Sequence, residues 1–353
     1  MSRFLSEKIN RLKPYVPGEQ PKEREYIKLN TNESPFPPSK KAIELASVEA
    51  NKLYLYPDPD VKDLTKAVAD SLGVTPNNVI MTNGSDEALN FTFMAYCDGD
   101  RPAIFPDITY GFYKVFAQVN GVIYNEVPLN DDFTVNIEEL IKQRGTIFIA
   151  NPNAPTGIYL ELSDIERILC SDKDRIVVVD EAYIDFGGQS AVKLIDKYDN
   201  LIVTQTFSKS RSMAGARLGF AVASEGIISD LNRIKYSTNP YNVNRMTAGA
   251  GLGAICDVKY FNENCTKIIA NREYVTKELK DLGFALTPSL TNFVFAKSDK
   301  IGGKELYLAL KDKGVLVRHF DSERINAYIR VTIGNKEQMQ KFINYVKQIL
   351  EKI

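Results

Sequence analysis

The sequence predicts an α/β protein, with a large unit built on a mainly parallel central sheet and a smaller α+β unit after it. The apolar run RIVVVDEAYIDF at residues 175–186 is typical of a parallel strand that is buried on both faces. Short apolar runs alternate with helical patterns from residue 78 to residue 223. From residue 292 onward the pattern changes to strand, helix, two strands and a final helix, which indicates a separate compact unit.

The first part of the chain begins with a short helix that ends before Pro14, followed by an irregular, proline-containing segment up to residue 38. Ser39 is a suitable N-cap for a helix over residues 39–52, and a second amphipathic helix ends at Leu72. Alternation of apolar and polar patterns then predicts four strands, at residues 78–82, 103–106, 122–127 and 146–150. Helices are expected between them, at residues 83–97, after residue 106 and at residues 136–144.

The second part contains buried strands that end at Asp180 and Thr206 and another that starts at Phe220. Helices are predicted at residues 225–236, 245–256 and 258–282, and the last of these is long and charged and connects the two units. Strands at 292–296, 315–320 and 327–332 then combine with helices at 304–313 and 336–352. We therefore expect an N-terminal arm and active-site loop at residues 1–38, a large domain at 39–255 and a small C-terminal domain at 256–353.

Composition excludes several classes of function. The 353 residues carry a net charge of -1 and contain no basic block, which argues against a nucleic-acid partner. No apolar run reaches the roughly 18 to 20 residues needed to span a bilayer, and the N-terminus lacks the hydrophobic region of a signal peptide. We therefore expect a cytoplasmic protein without a membrane partner. The four cysteines form no Cys-x-x-Cys pair and there is one histidine, so no metal site is predicted.

The stretch LIVTQTFSKSRSMAGARLGF at residues 201–220 places Lys209 just beyond a buried strand, among hydroxyl side chains and before the cation Arg217. An amine in these surroundings can bind a phosphorylated aldehyde as an imine, because desolvation and neighbouring positive charge keep its pKa low. Most lysines are solvated surface charges, so this prediction depends on the neighbours of Lys209. Asp180 ends the preceding strand, where open α/β sheets bind ligands, and its carboxylate can hold a pyridinium nitrogen protonated.

Four motifs, in this order, resemble those of the pyridoxal-phosphate-dependent aminotransferases of fold type I. They are ANPNAPTG at residues 150–157, VVDEAY at 178–183, TFSKSRSMAGARLGF at 206–220 and IRVTIG at 329–334. More narrowly, the chain is similar to the histidinol-phosphate aminotransferase family, and the resemblance covers nearly all of it. It implies a fold type I transferase whose large domain binds pyridoxal 5'-phosphate as a covalent aldimine on Lys209.

The resemblance also implies roles around the cofactor. Lys209, Asp180 and Tyr183 would be catalytic, with Asp180 on the ring nitrogen and Tyr183 on the 3-oxygen. Tyr110, by its place in a P-x-x-x-Y-G-x-Y pattern, would stack on the ring. The other cofactor-binding positions implied by the family are Gly84, Ser85, Asp86, Thr206, Ser208, Arg217 and, from the other subunit of a homodimer, Tyr56.

Substrate contacts are implied by the same resemblance. Arg330 in YIRVTIG matches the arginine that binds the substrate carboxylate in this superfamily; in histidinol-phosphate enzymes it meets the substrate phosphate instead. Arg318 and Tyr15 occupy the places of its two partners. A planar guanidinium binds carboxylate or phosphate through two parallel hydrogen bonds, so one site can accept both substrates. Asn32 lies in the stretch LNTNESPFPP, similar to a family loop over the active site.

The chain departs from the family within ANPNAPTG. Ala154 stands where an asparagine normally precedes Pro-Thr-Gly and donates a hydrogen bond to the 3-oxygen of the cofactor. Asn153, one residue earlier, is the candidate substitute, although a shift of one residue usually turns a side chain the other way. Tyr183 would then carry more of the contact with the 3-oxygen.

The leading hypothesis is amino transfer from L-histidinol phosphate to 2-oxoglutarate, which gives imidazole acetol phosphate and L-glutamate in histidine biosynthesis. An aromatic amino-acid aminotransferase would use the same residues. A lyase is the alternative from another class, because threonine-phosphate decarboxylases share the lysine, the aspartate and the arginines and also bind a phosphate ester. A DNA-binding regulator built on this fold would need an N-terminal helix-turn-helix, and the residues before Tyr15 are too few for one.

Overall fold

The computed structural model describes residues 2–15, 17–21 and 23–353. The helices described are α1 Glu7–Asn10, α2 Lys40–Ala50, α3 Lys62–Leu72, α4 Ser85–Tyr96, α5 Phe112–Asn120, α6 Ile137–Lys142, α7 Leu162–Ser171, α8 Glu225–Thr238, α9 Arg245–Cys256, α10 Val258–Asp281, α11 Gly303–Asp312 and α12 Lys336–Leu350. The strands described are β1 Ile27–Lys28, β2 Val79–Thr82, β3 Ala103–Pro106, β4 Tyr124–Val127, β5 Thr146–Ala150, β6 Val177–Asp180, β7 Leu201–Thr206, β8 Gly219–Ala223, β9 Phe284–Leu286, β10 Phe293–Ser298, β11 Val315–Leu316, β12 Arg318–His319 and β13 Tyr328–Thr332.

The largest sheet has seven strands in the order β2-β8-β7-β6-β5-β3-β4. Only β8 runs antiparallel to its neighbours, β7 and β2, so the prediction of a mainly parallel central sheet is confirmed. The central strands β5, β6 and β7 are buried along their whole length. Because they are parallel, their carboxyl ends meet at the same edge of the sheet, where ligands bind in open α/β folds.

The two faces of this sheet are covered by separate apolar clusters. Val177 and Val179 of β6 contribute to one cluster, and Val178 contributes to the other. Successive side chains of a strand point to opposite faces, so a strand between two clusters needs apolar residues at every position. This explains why the run VVV in β6 shows no alternation.

The smaller sheet is antiparallel, in the order β12-β13-β10-β9, and packs with α10, α11 and α12 around a third apolar cluster. The prediction of a single strand at residues 315–320 is wrong in one respect, because the structure divides this segment into two strands. Its first half, β11, pairs in parallel with β1, whereas its second half, β12, pairs with β13. Periodicity within residues 315–320 cannot reveal two different partners, one of which lies nearly 300 residues away.

The segment at residues 27–32 is hydrogen-bonded to strands β11 and β13. The Leu29 amide donates to the Leu316 carbonyl at 2.8 Å, and the Leu29 carbonyl accepts from the Thr332 amide at 2.9 Å. This places the polar residues that follow Leu29 beside the edge of the large sheet. The predicted domain boundaries at residues 38 and 255 stay predictions.

The predicted secondary structure differs from the observed one in three further respects. The N-terminal helix occupies only Glu7–Asn10, and both α7 and β9 are absent from the predicted elements. The N-cap of α4 is Gly84, which has no side chain to cap the helix. Within the described part of the chain, no helix is both long and apolar enough to cross a membrane.

Candidate active site

A cavity of about 330 Å³ lies at the carboxyl ends of β5, β6 and β7 and reaches the start of α4. Its walls come from the loop after β1, from these strand ends and from the segment before β8. The predicted residues that line it are Ser85, Asp86, Tyr110, Asp180, Tyr183, Thr206, Ser208, Lys209 and Arg217. Residues separated by more than 100 positions in the sequence therefore surround one space.

Lys209 is in the turn that follows β7, and its side chain is partly buried. Its Nζ donates to the carbonyl oxygen of Thr31 at 3.4 Å, and it lies 5.8 Å from the centre of the Tyr183 ring. The long contact with Thr31 is a weak one for an ammonium group. Glu33 lines the same cavity, and the charge of Lys209 contributes to the lowered pKa of the Glu33 carboxyl.

Asp180 is buried at the end of β6, with 4% of its surface exposed. Its carboxylate accepts hydrogen bonds from the Tyr113 hydroxyl and from the Thr204 hydroxyl, both at 3.1 Å. Burial raises the pKa of this carboxyl to about 6, although the two hydrogen bonds act in the opposite direction. A cation placed beside Asp180 would lower that pKa and hold the group as a carboxylate.

Tyr183 is connected to Asn32, which was expected to bind substrate. The Asn32 Nδ2 donates to the Tyr183 hydroxyl oxygen at 2.9 Å. The Asn32 Oδ1 accepts from the Thr332 hydroxyl at 3.0 Å, and only 2% of the Asn32 surface is exposed. Asn32 lies along a second cavity, yet both polar atoms of its side chain are used within the protein.

The start of α4 lies beside Arg217, whose Nη2 is 2.8 Å from the Asp86 carboxylate. The other oxygen of Asp86 accepts from the Tyr110 hydroxyl at 2.8 Å. Gly84 has a φ of +78°, and an added Cβ would lie 2.7 Å from the Arg217 Nη2, so glycine allows this approach. Since Gly84 has no side chain to cap the helix, the first amides of α4 remain available to an anion.

Two hydroxyl groups lie close to this helix start along the cavity wall. The Ser208 amide donates to the Thr206 Oγ1 at 3.1 Å, and the Thr206 hydroxyl lies 2.9 Å from the Ser208 Oγ. Both residues are buried at the end of β7. Together with Arg217 and the α4 amides they form a polar wall that suits a phosphate group.

A second cavity, of about 480 Å³, adjoins the first and shares with it Thr31, Tyr110, Ala154, Tyr183 and Lys209. The other predicted substrate-binding residues, Tyr15, Arg318 and Arg330, line this second cavity.

Arg318 and Arg330 stand directly opposite each other on β12 and β13. The Arg330 Nη2 donates to the Asn30 carbonyl at 3.1 Å, and its guanidinium lies over the Phe293 and Phe320 rings. Its buried Nε has no hydrogen-bond partner among the described residues. Burial and the charge of Arg318 lower the pKa of Arg330, which nevertheless stays a cation.

Three predicted cofactor-binding residues do not line either cavity, and one of them, Gly84, lies beside Arg217 of the first cavity. Asn153 is buried, and its side chain is bonded to Thr109, Ile108 and Thr156. Tyr56 is 78% exposed and its ring stacks on Tyr241, with centroids 4.6 Å apart. Within one subunit, therefore, the structure does not bring Asn153 or Tyr56 to the cavity walls.

Several residues at the site were not singled out from the sequence. Tyr113 and Thr204 hold Asp180, while the Thr31 carbonyl meets Lys209. Glu33 also lines the first cavity and pairs with Lys28 at 2.7 Å. An aromatic residue at position 113 is expected on any apolar helix face. Only the hydroxyl group of Tyr113 could have indicated a role at the site. The carbonyl of Thr31 offered no such indication.

The fold and the cavity combine an amine, a buried carboxylate and an anion-binding helix start, as in enzymes that carry a phosphorylated cofactor on a lysine. A family model described as aminotransferase class I and II matches residues 24–346. The fold, the cavity and this match together identify the chain as an aminotransferase.

Relatives narrow this class. A histidinol-phosphate aminotransferase of Brachyspira hyodysenteriae is 50% identical, over 99% of this chain and 100% of that protein. Another, of Clostridium beijerinckii, is 48% identical, over 99% of this chain and 98% of that protein. The chain therefore belongs to the class I and II aminotransferases and, within them, to the histidinol-phosphate aminotransferase family.

A solved structure supports the fold assignment. The crystal structure of histidinol-phosphate aminotransferase from Sinorhizobium meliloti in complex with pyridoxal-5'-phosphate aligns with a TM-score of 0.90. The alignment covers 100% of this chain and 99% of that chain, at 24% identity. This likeness shows that the two chains share a fold, and it agrees with the predicted fold type I.

The residues around the first cavity fit pyridoxal 5'-phosphate. Its phosphate matches the polar wall formed by Ser208, Thr206, Arg217 and the first amides of α4. Its pyridine nitrogen matches a carboxylate, which Asp180 supplies, and its aldehyde matches the Lys209 amine. Burial raises the pKa of Asp180, and a protonated pyridine nitrogen beside this carboxyl would lower it again.

Proposed function

We propose that this protein transfers the amino group of L-histidinol phosphate to 2-oxoglutarate, giving imidazole acetol phosphate and L-glutamate in histidine biosynthesis. The observation that carries this proposal is the pair of guanidinium groups, Arg318 and Arg330, on a cavity that joins the Lys209 cavity. Two adjacent cations suit a phosphate ester in one half-reaction and a carboxylate in the other. The names of relatives at 48–50% identity support the same substrate.

The cofactor is pyridoxal 5'-phosphate, which we place on Lys209. When bound, it supplies a protonated ring that delocalises negative charge from the substrate carbon. Asp180 holds the proton on the ring nitrogen, and Tyr113 and Thr204 keep the carboxylate in position for that task. Tyr110, whose hydroxyl donates to Asp86, would cover one face of the ring.

Lys209 acts at its Nζ atom. With the cofactor bound, the amine would hold it and, when freed, would move a proton from the substrate carbon to the cofactor. Its weak contact with the Thr31 carbonyl leaves the side chain free to make this movement. Lys209 lines both cavities, so the same amine can reach the cofactor site and the substrate site.

The substrate phosphate is assigned to Arg318, Arg330 and the Tyr15 hydroxyl. The Tyr15 ring packs against Phe112 at 4.6 Å, which holds the N-terminal arm on the large sheet side of the cavity. The arm is also tied to α11, since Glu19 accepts hydrogen bonds from Tyr307 and Lys311. Both attachments lie close to Tyr15, Pro17 and Gly18, which line the substrate cavity.

The substrate is tested by a rate assay for L-glutamate formation from 2-oxoglutarate with L-histidinol phosphate or L-phenylalanine as donor. We expect kcat/KM to be at least about tenfold higher for histidinol phosphate, because a charge-assisted hydrogen bond contributes about 1.5–3 kcal/mol. Equal values for phenylalanine would make the protein a broad aromatic aminotransferase. Carbon dioxide release from L-threonine phosphate without any oxo acid would identify a lyase.

We further propose a homodimer in which Tyr56 of each subunit reaches the cofactor phosphate of the other. Tyr56 lies in an exposed apolar stretch with Leu53, Tyr54 and Leu55, which are 50–83% exposed. Exposed apolar stretches of this kind mark interaction surfaces. In its own subunit Tyr56 lines neither cavity, so a contact with the phosphate has to be made across a subunit interface.

Replacement of Tyr56 by phenylalanine should weaken binding of pyridoxal 5'-phosphate by about tenfold, the value of one hydrogen bond to a charged group. The affinity can be measured by fluorescence titration of the apo-protein. Tyr54→Phe is the matched control, because Tyr54 is similarly exposed, at 83% against 78% for Tyr56, and has no assigned contact. A particle with the mass of one 39.6 kDa chain in light scattering would contradict the proposed dimer.

A further inference from the structure

We infer that Asn32 is a positioning residue, whose side-chain amide orients the Tyr183 hydroxyl as the donor to the 3-oxygen of the cofactor. This inference rests on the proposed function, because it concerns pyridoxal 5'-phosphate in the Lys209 cavity. It explains how the chain would supply a donor to the 3-oxygen although Ala154 has a methyl group in place of the usual asparagine amide.

The neighbouring asparagine cannot replace the missing donor. The Asn153 Oδ1 accepts from the Thr109 hydroxyl at 2.8 Å. Its Nδ2 donates to the Ile108 carbonyl at 2.9 Å and to the Thr156 Oγ1 at 3.0 Å. Every polar atom of this buried side chain is therefore used in holding the loop after β3. Ala154 itself lines both cavities and contributes no side-chain hydrogen bond.

The orientation of the Asn32 amide is fixed by its hydrogen-bond network. The Asn32 backbone amide donates to the Thr332 Oγ1 at 2.9 Å, so that oxygen acts as an acceptor. The Thr332 hydroxyl in turn donates to the Asn32 Oδ1 at 3.0 Å, so that its oxygen accepts one hydrogen bond and its hydrogen also has an acceptor. The Nδ2 group is left facing the Tyr183 hydroxyl at 2.9 Å.

This arrangement determines what Tyr183 can do. Because an amide nitrogen is a donor only, the Tyr183 oxygen accepts this hydrogen bond and its own hydrogen is directed elsewhere. Tyr183 lines both cavities, so the hydrogen is available to an acceptor in the cofactor site. A hydroxyl that accepts a hydrogen bond also becomes a stronger donor.

Asn32 is itself rigidly held. Its backbone has a φ of +56°, in the left-handed region that asparagine tolerates better than most residues. Its carbonyl accepts from the Asn292 Nδ2 at 3.0 Å, and only 2% of its surface is exposed. The network thus runs from β13 through Asn32 to Tyr183, and it fixes the phenol without using any residue of the segment around Ala154.

The test is a pH titration of the absorbance of the cofactor-loaded protein without substrate. A donor to the 3-oxygen stabilises negative charge there and so eases loss of the proton from the nearby nitrogen that links the cofactor to Lys209. Asn32→Gly should raise the midpoint by about half to one pH unit, the value of one modest hydrogen bond. Glycine is chosen because it adopts a positive φ without strain.

A double-mutant cycle separates positioning from a general structural effect. In a Tyr183→Phe background, Asn32→Gly should cause no further shift, because the hydroxyl through which Asn32 acts is gone. Ala154→Asn in the Asn32→Gly variant should return the midpoint toward the parental value, since it supplies a donor directly. An equal shift with and without the Tyr183 hydroxyl would overturn the inference.

Asn32→Asp is a second variant of nearly the same shape. A carboxylate or carboxyl oxygen facing Tyr183 would accept its hydrogen and draw it away from the cavity, so the midpoint should again rise. An unchanged midpoint in both Asn32 variants would contradict the role of Asn32 while leaving the proposed function intact. Failure of the parental protein to bind pyridoxal 5'-phosphate would contradict the proposed function itself.

Discussion

Replacement of Lys209 by alanine is expected to abolish turnover and covalent retention of the cofactor. The Lys209 amine is the one assigned both to hold the cofactor and to move the substrate proton. A positioned acid–base group alone contributes about 10²–10⁴-fold, and the covalent route is lost as well, so activity should fall by at least about 10⁴-fold. The measurements are the initial rate of glutamate formation and mass spectrometry of the borohydride-reduced protein.

Two comparisons show whether the effect belongs to the amine. Lys209→Arg keeps a positive charge in the cavity but offers no neutral amine, so it should be as inactive as the alanine variant. Methylamine, which fits the space left by the lysine side chain, should restore part of the activity of Lys209→Ala but not that of Lys209→Arg. Turnover of Lys209→Ala at the parental rate would disprove the assigned mechanism.

Replacement of Arg330 by methionine is expected to raise the KM for both substrates and to lower kcat/KM by about 10²–10⁴-fold. The guanidinium is assigned two charge-assisted hydrogen bonds to the substrate, each worth about 1.5–3 kcal/mol. Methionine preserves much of the packing of Arg330 between Phe293 and Phe320, so the fold should be retained. Steady-state kinetics with each substrate varied in turn provides the measurement.

Arg330→Lys is the matched control, because it keeps the positive charge but cannot form two parallel hydrogen bonds. Its kcat/KM should therefore fall less than that of Arg330→Met. The affinity for pyridoxal 5'-phosphate should remain close to the parental value in both variants, since Arg330 lines the second cavity and not the first. An unchanged KM for histidinol phosphate and for 2-oxoglutarate would remove Arg330 from the substrate site.

The fold could be predicted where a local pattern corresponds to a single environment. The buried run in β6 and the cap at Ser39 predicted elements that the structure confirms within a few residues. The helix α7 shows that a local signal can also be overlooked, because Ile165, Ile168 and Leu169 follow helical spacing. The division between β11 and β12 had no such signal, since it depends on pairing with a distant strand.

The candidate site was predictable where residues follow parallel strands directly. Asp180 and Lys209 line the same cavity because β6 and β7 are adjacent and parallel, so that their carboxyl ends are neighbours. The sequence could not show where the side chain of Asn153, the candidate substitute for the missing asparagine, would point. The structure places Asn153 outside the cavity, because its side chain turns toward Ile108 and Thr109, as expected for a shift of one residue along the chain.

By itself, the sequence determined the parallel sheet and the positions of the amine and the carboxylate at its edge, because apolar periodicity and strand ends are local properties. The tertiary structure alone decided that Asn32 orients Tyr183 and that Arg318 faces Arg330. Asn32 lies 151 positions from Tyr183 and 300 from Thr332, and no local pattern specifies such contacts. They arise only when loop geometry and strand register bring distant polar groups together, since buried polar groups must find partners.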